Sequence, residues 1–398
     1  MSVVRRTRVM LQEFVAEETA SGVVLVGALA TGLLWANAAR GSYRDVWHRA
    51  LGVEVGIVRI DLTLGGWVTH GLMTLFFFAV GLELKRELTR GELREPRAAA
   101  LPMLAAVGGV IVPALTYVAL MAGDPSVDAW GVPTATDLAL VLGVLALLGS
   151  RAPTGLKVFM LTLAITDDLI GIVLIALFYS HDLSLGYLVS AVVAVAVIAA
   201  MRPFVAHVAV YGVVGVVLWY LVLRSGVEAP IAGAVLGALV PARLVRGRDL
   251  LEGLERAFVP LSAFFAIPLF ALANVDLDLS PTALGDALSS RVAWAVVVAR
   301  VAGKVVGISV VGLLVLHVGW GHLPAGLGRR HLVAGAALSG VGFAVAFFIA
   351  EAALAGTGAA LEHARLGVLL AAIIAAAVAS AILTLSPHRR REAAERGP

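Results

Sequence analysis

Long apolar runs dominate the chain, separated by short polar stretches that hold most of its charges. The runs lie near residues 18–38, 65–84, 98–120, 130–149, 156–179, 185–201, 207–223, 227–241, 257–275, 292–316, 331–353 and 364–385. About 20 apolar residues in helical form cross the hydrocarbon core of a bilayer, and most runs are close to that length. Strands of a membrane barrel would alternate apolar and polar residues, and these runs do not. The pattern predicts an all-α integral membrane protein of about twelve transmembrane helices, one membrane domain over residues 1–398.

Between the first two runs, "VEVGIVRIDLTL" is β-branched, partly alternating and interrupted by Gly56. Such a stretch predicts a small β-hairpin outside the membrane, over about residues 41–63. The opening "RRTR", ahead of a run ending in "WANAAR", is similar to a signal peptide. Glu13, Glu17 and Glu18 intrude on that pattern and more spans follow, so a retained first helix is expected.

Composition sharpens this picture. The chain is 60% hydrophobic and 14% charged, against roughly 45–50% and about 25% in soluble domains. With both termini placed in the cytoplasm, 21 Lys and Arg residues fall on that side and 7 on the other, leaving Arg300 and Lys304 inside a span. The positive-inside rule supports that orientation. Because the basic residues punctuate the spans, the net charge of +3 does not suggest a nucleic-acid partner. The absence of cysteine excludes disulfide and thiol chemistry.

Four ionisable residues stand near mid-span: Asp137, Asp167, Asp168 and Lys304. Each costs roughly 2.5–3.5 kcal/mol at the bilayer centre, so each should face a wet cavity or a partner. Asp167 and Asp168 are adjacent in "LTLAITDDLIGIVLIALFY" and point about 100° apart on a helix. One can line a cavity while the other reaches a neighbouring helix. A buried carboxylate in such a place can hold a proton or a small hard cation, the chemistry of a proton-coupled cation carrier. The bland alternative, acids that merely lock helices through ion pairs, is weakened because three acids face one obvious base. Arg300 could supply a second, but its partner is left open.

Backbone signals accompany the charges. "GVPTATDLALVLGVLALLGS" puts Pro133 and Asp137 inside an expected helix, and proline both removes a donor and disfavours helix at the preceding residue. "LSGVGFAVAFFIAEAAL" puts Gly340 and Gly342 in the middle of another span. Interrupted spans in corresponding halves point to a transporter with an inverted-topology repeat and a midplane site. The repeats would cover about 98–179 and 292–385.

"PTATDLALVLGVLALLGSR", "AITDDLIGIVLIALFY", "AGKVVGIS", "VGLELKREL" and "SGVGFAVAFFIA", in this order and spacing, resemble the NhaA-type sodium/proton antiporters over nearly the whole chain. The resemblance implies a fourth and an eleventh helix that unwind and cross near Thr136–Asp137 and Gly340–Phe343. It implies that Asp137 balances amide ends and Lys304 carbonyl ends there. It further implies a Na+ site at Asp168 and Asp167, with Thr136 and Asp137 close by, and Lys304 paired to Asp167 when sodium is absent. The expected activity is electrogenic, pH-regulated exchange of Na+ or Li+ for protons in the plasma (inner) membrane of a prokaryote. No cofactor is expected, and the hairpin would join two copies into a homodimer.

The family's pH-response region at the cytoplasmic mouth maps onto Glu83, Lys85, Arg86, Glu87, Glu255 and Arg256. Histidines common in the family are missing: Arg256 and Val259 stand in "GLERAFVP", and Glu228 stands in "RSGVEAPIAG". A shifted pH profile is therefore expected. The roles of His70 and of Glu351, a helix-end acid or the partner of Arg300, stay open. A sodium-coupled organic-anion symporter is the alternative, and it would need a roomier pocket with free basic groups. No nucleophile–base pair or metal-ligand cluster suggests an enzyme.

Overall fold

A computed structural model describes residues 3–385 except 57, 92, 93, 95, 181, 206 and 325. The chain begins with α1 (Val3–Ala38) and α2 (Arg40–Trp47), followed by β1 (Ala50–Val55) and β2 (Val58–Thr63). Next come α3 (Leu64–Arg90), α4 (Pro96–Leu120), a 3-10 helix over Pro125–Thr134, and α5 (Leu138–Leu148). Then follow α6 (Thr154–Phe178), α7 (Leu185–Met201), α8 (Val208–Ser225), α9 (Pro230–Leu239) and α10 (Leu250–Asn274). The chain continues through α11 (Pro281–Ser289), α12 (Arg291–Val318), α13 (Arg329–Leu338), α14 (Ala344–Leu354) and α15 (Ala359–Thr384).

Among the described residues, eight helices are long and apolar enough to cross a membrane: α1, α3, α4, α6, α8, α10, α12 and α15. The runs near 185–201 and 227–241 form the shorter apolar helices α7 and α9. Those near 130–149 and 331–353 are each broken. The 3-10 helix and α5 meet at 49°, and α13 stops at Leu338 while α14 starts at Ala344.

The hairpin is shorter than residues 41–63. Its strands pair antiparallel from Ala50↔Thr63 to Val55↔Val58, with Gly56 at φ +60 taking the turn. Residues ahead of it form α2, because Tyr43 and Trp47, one turn apart, bury a common face. Their rings lie 5.3 and 6.4 Å from that of Trp35 on α1. Trp67 ties the hairpin to α3 by donating its indole N–H to the Leu51 carbonyl at 2.8 Å.

On the same end of the molecule, Arg40 bridges Asp278 at 2.5 Å and Glu362 at 3.3 Å, and Arg44 meets Asp276 at 2.8 Å. Hydrogen bonds from Ser280, foremost its backbone amide, and then Arg40 hold the Asp278 carboxyl below the ordinary carboxylate range. The Arg40–Asp278 contact therefore holds at neutral pH and is lost as acid protonates Asp278.

Two packing devices place the site. A Cβ on Gly307 would stand 2.1 Å from the Gly108 carbonyl oxygen, so α12 and α4 touch backbone to backbone. Small residues permit that approach where lipid offers no hydrophobic drive, and it seats Arg300 and Lys304 in the fully buried interior. The 3-10 helix is fastened by two tyrosines. Tyr179 accepts from the Gly131 amide at 2.9 Å and donates to the Asp128 carbonyl at 3.0 Å, and Tyr117 donates to the Ser126 carbonyl at 3.0 Å. Tyr179→Phe removes the bonds to the Gly131 amide and the Asp128 carbonyl, at a cost of about 0.5–1.5 kcal/mol each. A lowered thermal midpoint in detergent is the expected result, and an unchanged midpoint would show that the amide has another partner.

Candidate functional site: a crossing of two broken helices

The two breaks lie against each other. Ala135 and Asp137 are extended, at ψ 141 and at φ −111, ψ 108. Extended backbone at this depth must find partners, and it finds them across the crossing. The Asp137 amide donates to the Val341 carbonyl at 3.0 Å, and the Thr136 hydroxyl donates to the Ser339 carbonyl at 2.9 Å. The crossing thus gathers two helix ends rich in carbonyls, near Thr134 and Leu338, and two rich in amides, at Leu138 and Ala344. Partial negative and partial positive charge meet in one small volume.

Asp137 serves the amide ends. One carboxylate oxygen accepts from the Leu140 amide at 3.3 Å, as the N-cap of α5, and the other from the Ala344 amide at 3.4 Å, at the start of α14.

The carbonyl ends meet Arg300, not Lys304, and here the sequence reading is corrected. Arg300 Nε donates to Gly340 O at 2.9 Å, Nη1 to Val132 O at 2.9 Å, and Nη2 to Ala135 O. Three carbonyls spread over two chain segments need a planar fork of several donors, which guanidinium has and ammonium lacks. Arg300 sits in a π-helical turn over Ala299–Gly303, a distortion frequent at functional sites. Gly342 leaves the room: a Cβ there would stand 1.7 Å from Arg300 Nη2. The partner of Arg300, left open by sequence, is backbone. Nothing in a linear pattern shows where a carbonyl will point.

Lys304 turns to Asp167 instead. Its ammonium donates to Asp167 Oδ2 at 2.7 Å and to the Thr136 hydroxyl at 2.9 Å, with both charged side chains sealed from solvent. Asp167 Oδ1 is buried with no hydrogen-bond partner. Asp168, on the next residue of α6, lines a cavity of about 70 Å³ with Asp137, Thr136, Glu83 and Ser262. A second π-helical turn, Ser262–Ala266 in α10, forms part of its wall. Asp168 makes no ion pair among the described residues, so the pair of acids is split: one carboxylate bound to an ammonium, the other facing open space.

The chain matches the family model described as Na+/H+ antiporter 1 over residues 12–383. It belongs to the NhaA antiporter family. It is similar to the Na+/H+ antiporter NhaA of Shewanella loihica, 41% identical over 372 residues that cover 92% of this chain and 95% of that one. NhaA 1 of Klebsiella pneumoniae is 40% identical over 378 residues, covering 94% and 95% of the two chains. NhaA of Shigella dysenteriae is 40% identical over 373 residues, covering 92% and 96%. These relatives are named as transporters rather than enzymes.

In this NhaA-family chain the six residues assigned to the pH response are not one cluster. Arg86 reaches Glu255 at 2.9 Å and Glu87 at 3.1 Å, joining α3 to α10. Glu83, one turn earlier, lines the aspartate cavity. Lys85 points about 100° round the helix from Arg86. Arg256 pairs with Glu252 on the exposed face of α10 and takes no part in the cluster. Pro133 closes the 3-10 helix two residues before the break, while Gly340 and Gly342 lie within the second break. Glu351 is not the partner of Arg300: it pairs with Arg365 of α15.

Proposed function

We propose that this chain exports Na+ or Li+ across a prokaryotic plasma membrane in exchange for protons, electrogenically, with both termini in the cytoplasm. The observation that carries the proposal is the split acid pair, Asp167 held by Lys304 at 2.7 Å and Asp168 open to the cavity. Sodium is a hard cation that takes oxygen ligands, as other hard cations do. Asp168 and the unpartnered Asp167 Oδ1 supply them, with Thr136 beside them.

Sodium entering from the Glu83 side displaces protons and draws Asp167 away from Lys304. The loaded site then opens to the far side, where sodium leaves and protons re-bind. Exchange requires only that ion and protons compete for the same groups while two conformations expose them alternately. The crossed breaks, within repeats at 98–179 and 292–385, are the element that moves. Arg300 and Asp137 keep the helix ends neutralised throughout. The hairpin joins two copies into a homodimer.

An organic-anion symporter fits the geometry poorly. Organic ligands occupy pockets of about 300–1,000 Å³, against a cavity of about 70 Å³ here, and both buried cations of the crossing are already engaged. Purified protein should release protons when sodium is added, and proteoliposomes should lose an imposed pH gradient on sodium addition. Silence in both assays would end the proposal.

The Arg86–Glu255–Glu87 cluster joins α3 to α10 beside the cavity, which supports its role in pH control. Arg86→Gln removes the cation these acids share and makes their charged forms costlier. Exchange should then switch on at a pH higher by about one unit, a cost of 1.36 kcal/mol. The measurement is exchange rate against pH, and an unmoved onset would take the cluster out of regulation.

A further inference from the structure

At the other end of α3 lies a second polar cavity, about 380 Å³, lined by Thr69, His70, Glu228, Phe348 and Glu351. His70 and Glu83 are thirteen residues apart on one helix, about 20 Å along its axis, so this vestibule and the aspartate cavity lie toward opposite faces of the membrane. His70 Nδ1 stands 3.8 Å from Glu228 Oε2, and that nitrogen is sealed from solvent without a hydrogen bond.

The backbone around His70 is built rather than incidental. His70 sits in the third π-helical turn, Trp67–Leu72. The other two serve the crossing, one presenting Arg300 and one walling the aspartate cavity. Thr74 and Trp219 both donate to the His70 carbonyl, at 2.6 and 2.8 Å, which pins the turn and leaves the imidazole beside Glu228. The charged groups facing this pair come from two further elements. Glu351 is on α14, and Arg365, on α15, is spent on Glu351. No other titratable side chain lines the cavity among the described residues.

The two cavities nearly meet. Phe348 lines the vestibule and Val345 lines the aspartate cavity. Three residues on a helix separate them by about 4.5 Å, and the Phe77 ring packs 5.7 Å from that of Phe348 at this divide.

We propose that His70, Glu228 and Glu351 form an extracytoplasmic proton-loading site that supplies the aspartate pair. An imidazole and a carboxylate side by side can hold a proton between them. A hydronium ion from outside leaves its proton on the His70–Glu228 pair. When the crossing opens outward, the proton passes to Asp168 past Phe348, and the pair is free to load again. The site rests on the exchange reading and on its orientation.

The test uses whole protein in proteoliposomes of uniform orientation, with external pH varied at fixed internal pH. In Glu228→Gln and His70→Asn, half-maximal exchange should require about tenfold more external protons, a one-unit shift to lower external pH. Half-saturation by sodium on the cytoplasmic side and sodium-induced proton release by purified protein should remain native in both variants, which also shows that they fold. An external-pH profile superimposable on the native one overturns the proposal. So does an equal shift when internal pH is the one varied. If the native protein itself releases no protons on sodium addition, the exchange reading fails first and takes the loading site with it.

Discussion

Asp168→Asn should abolish sodium-for-proton exchange, by about a hundredfold or more, while leaving the protein folded. The amide keeps the shape of the side chain but cannot take up a proton or carry the charge that attracts sodium. No ion pair is broken, because Asp168 faces the cavity rather than a cation. Asp167→Asn should be equally inactive for a different reason. It strands the Lys304 ammonium, whose neighbours would then be Thr136 and an amide, in a site fully shielded from water. Removing one partner of a buried pair costs about 3–5 kcal/mol, so this variant should also melt earlier. Sodium-induced proton release and a thermal melt, run on both variants, separate the two effects. Native exchange by Asp168→Asn would defeat the mechanism outright.

The second large effect belongs to Arg300. Arg300→Met leaves the carbonyls of Val132, Ala135 and Gly340 without donors in a dry interior. At about 1–3 kcal/mol for each stranded group, the total rivals the roughly 5–15 kcal/mol that keeps a typical protein folded. The expected outcome is protein that does not accumulate in a folded form. Arg300→Lys keeps the charge but reaches fewer carbonyls, and should give folded protein of reduced thermal midpoint. Gly342→Ala tests the same contact from the other side, because its methyl would occupy the place of Nη2. The guanidinium would have to withdraw from Ala135 O, with a loss of about 1–3 kcal/mol from that bond alone. A native melting point for Gly342→Ala would show that Arg300 is not what holds the crossing together.

Both effects concern contacts of very different legibility. Helices and membrane class follow from hydropathy, since a bilayer accepts apolar helices of set length and little else. The breaks were legible too, because Pro133 and the glycines of "SGVGF" act on their own backbone. Asp167, Asp168 and Lys304 announced themselves as charges in oil, a cost visible without coordinates. The start of the hairpin was not legible: burial of Tyr43 and Trp47 against Trp35 made helix of residues that their loop-like composition did not mark.

What the linear order of residues determined, then, was everything paid locally: which segments are apolar, where a helix must stop, and which charges lack water. Tertiary structure alone decided the pairings. Arg300 rather than Lys304 took the carbonyl ends, Glu351 went to Arg365, Arg256 went to Glu252, and His70 came to stand beside Glu228. Each of these is a meeting of groups distant in sequence, whose distance and direction are set by how helices seat on one another. A side chain's propensity carries no information about which carbonyl will be turned toward it.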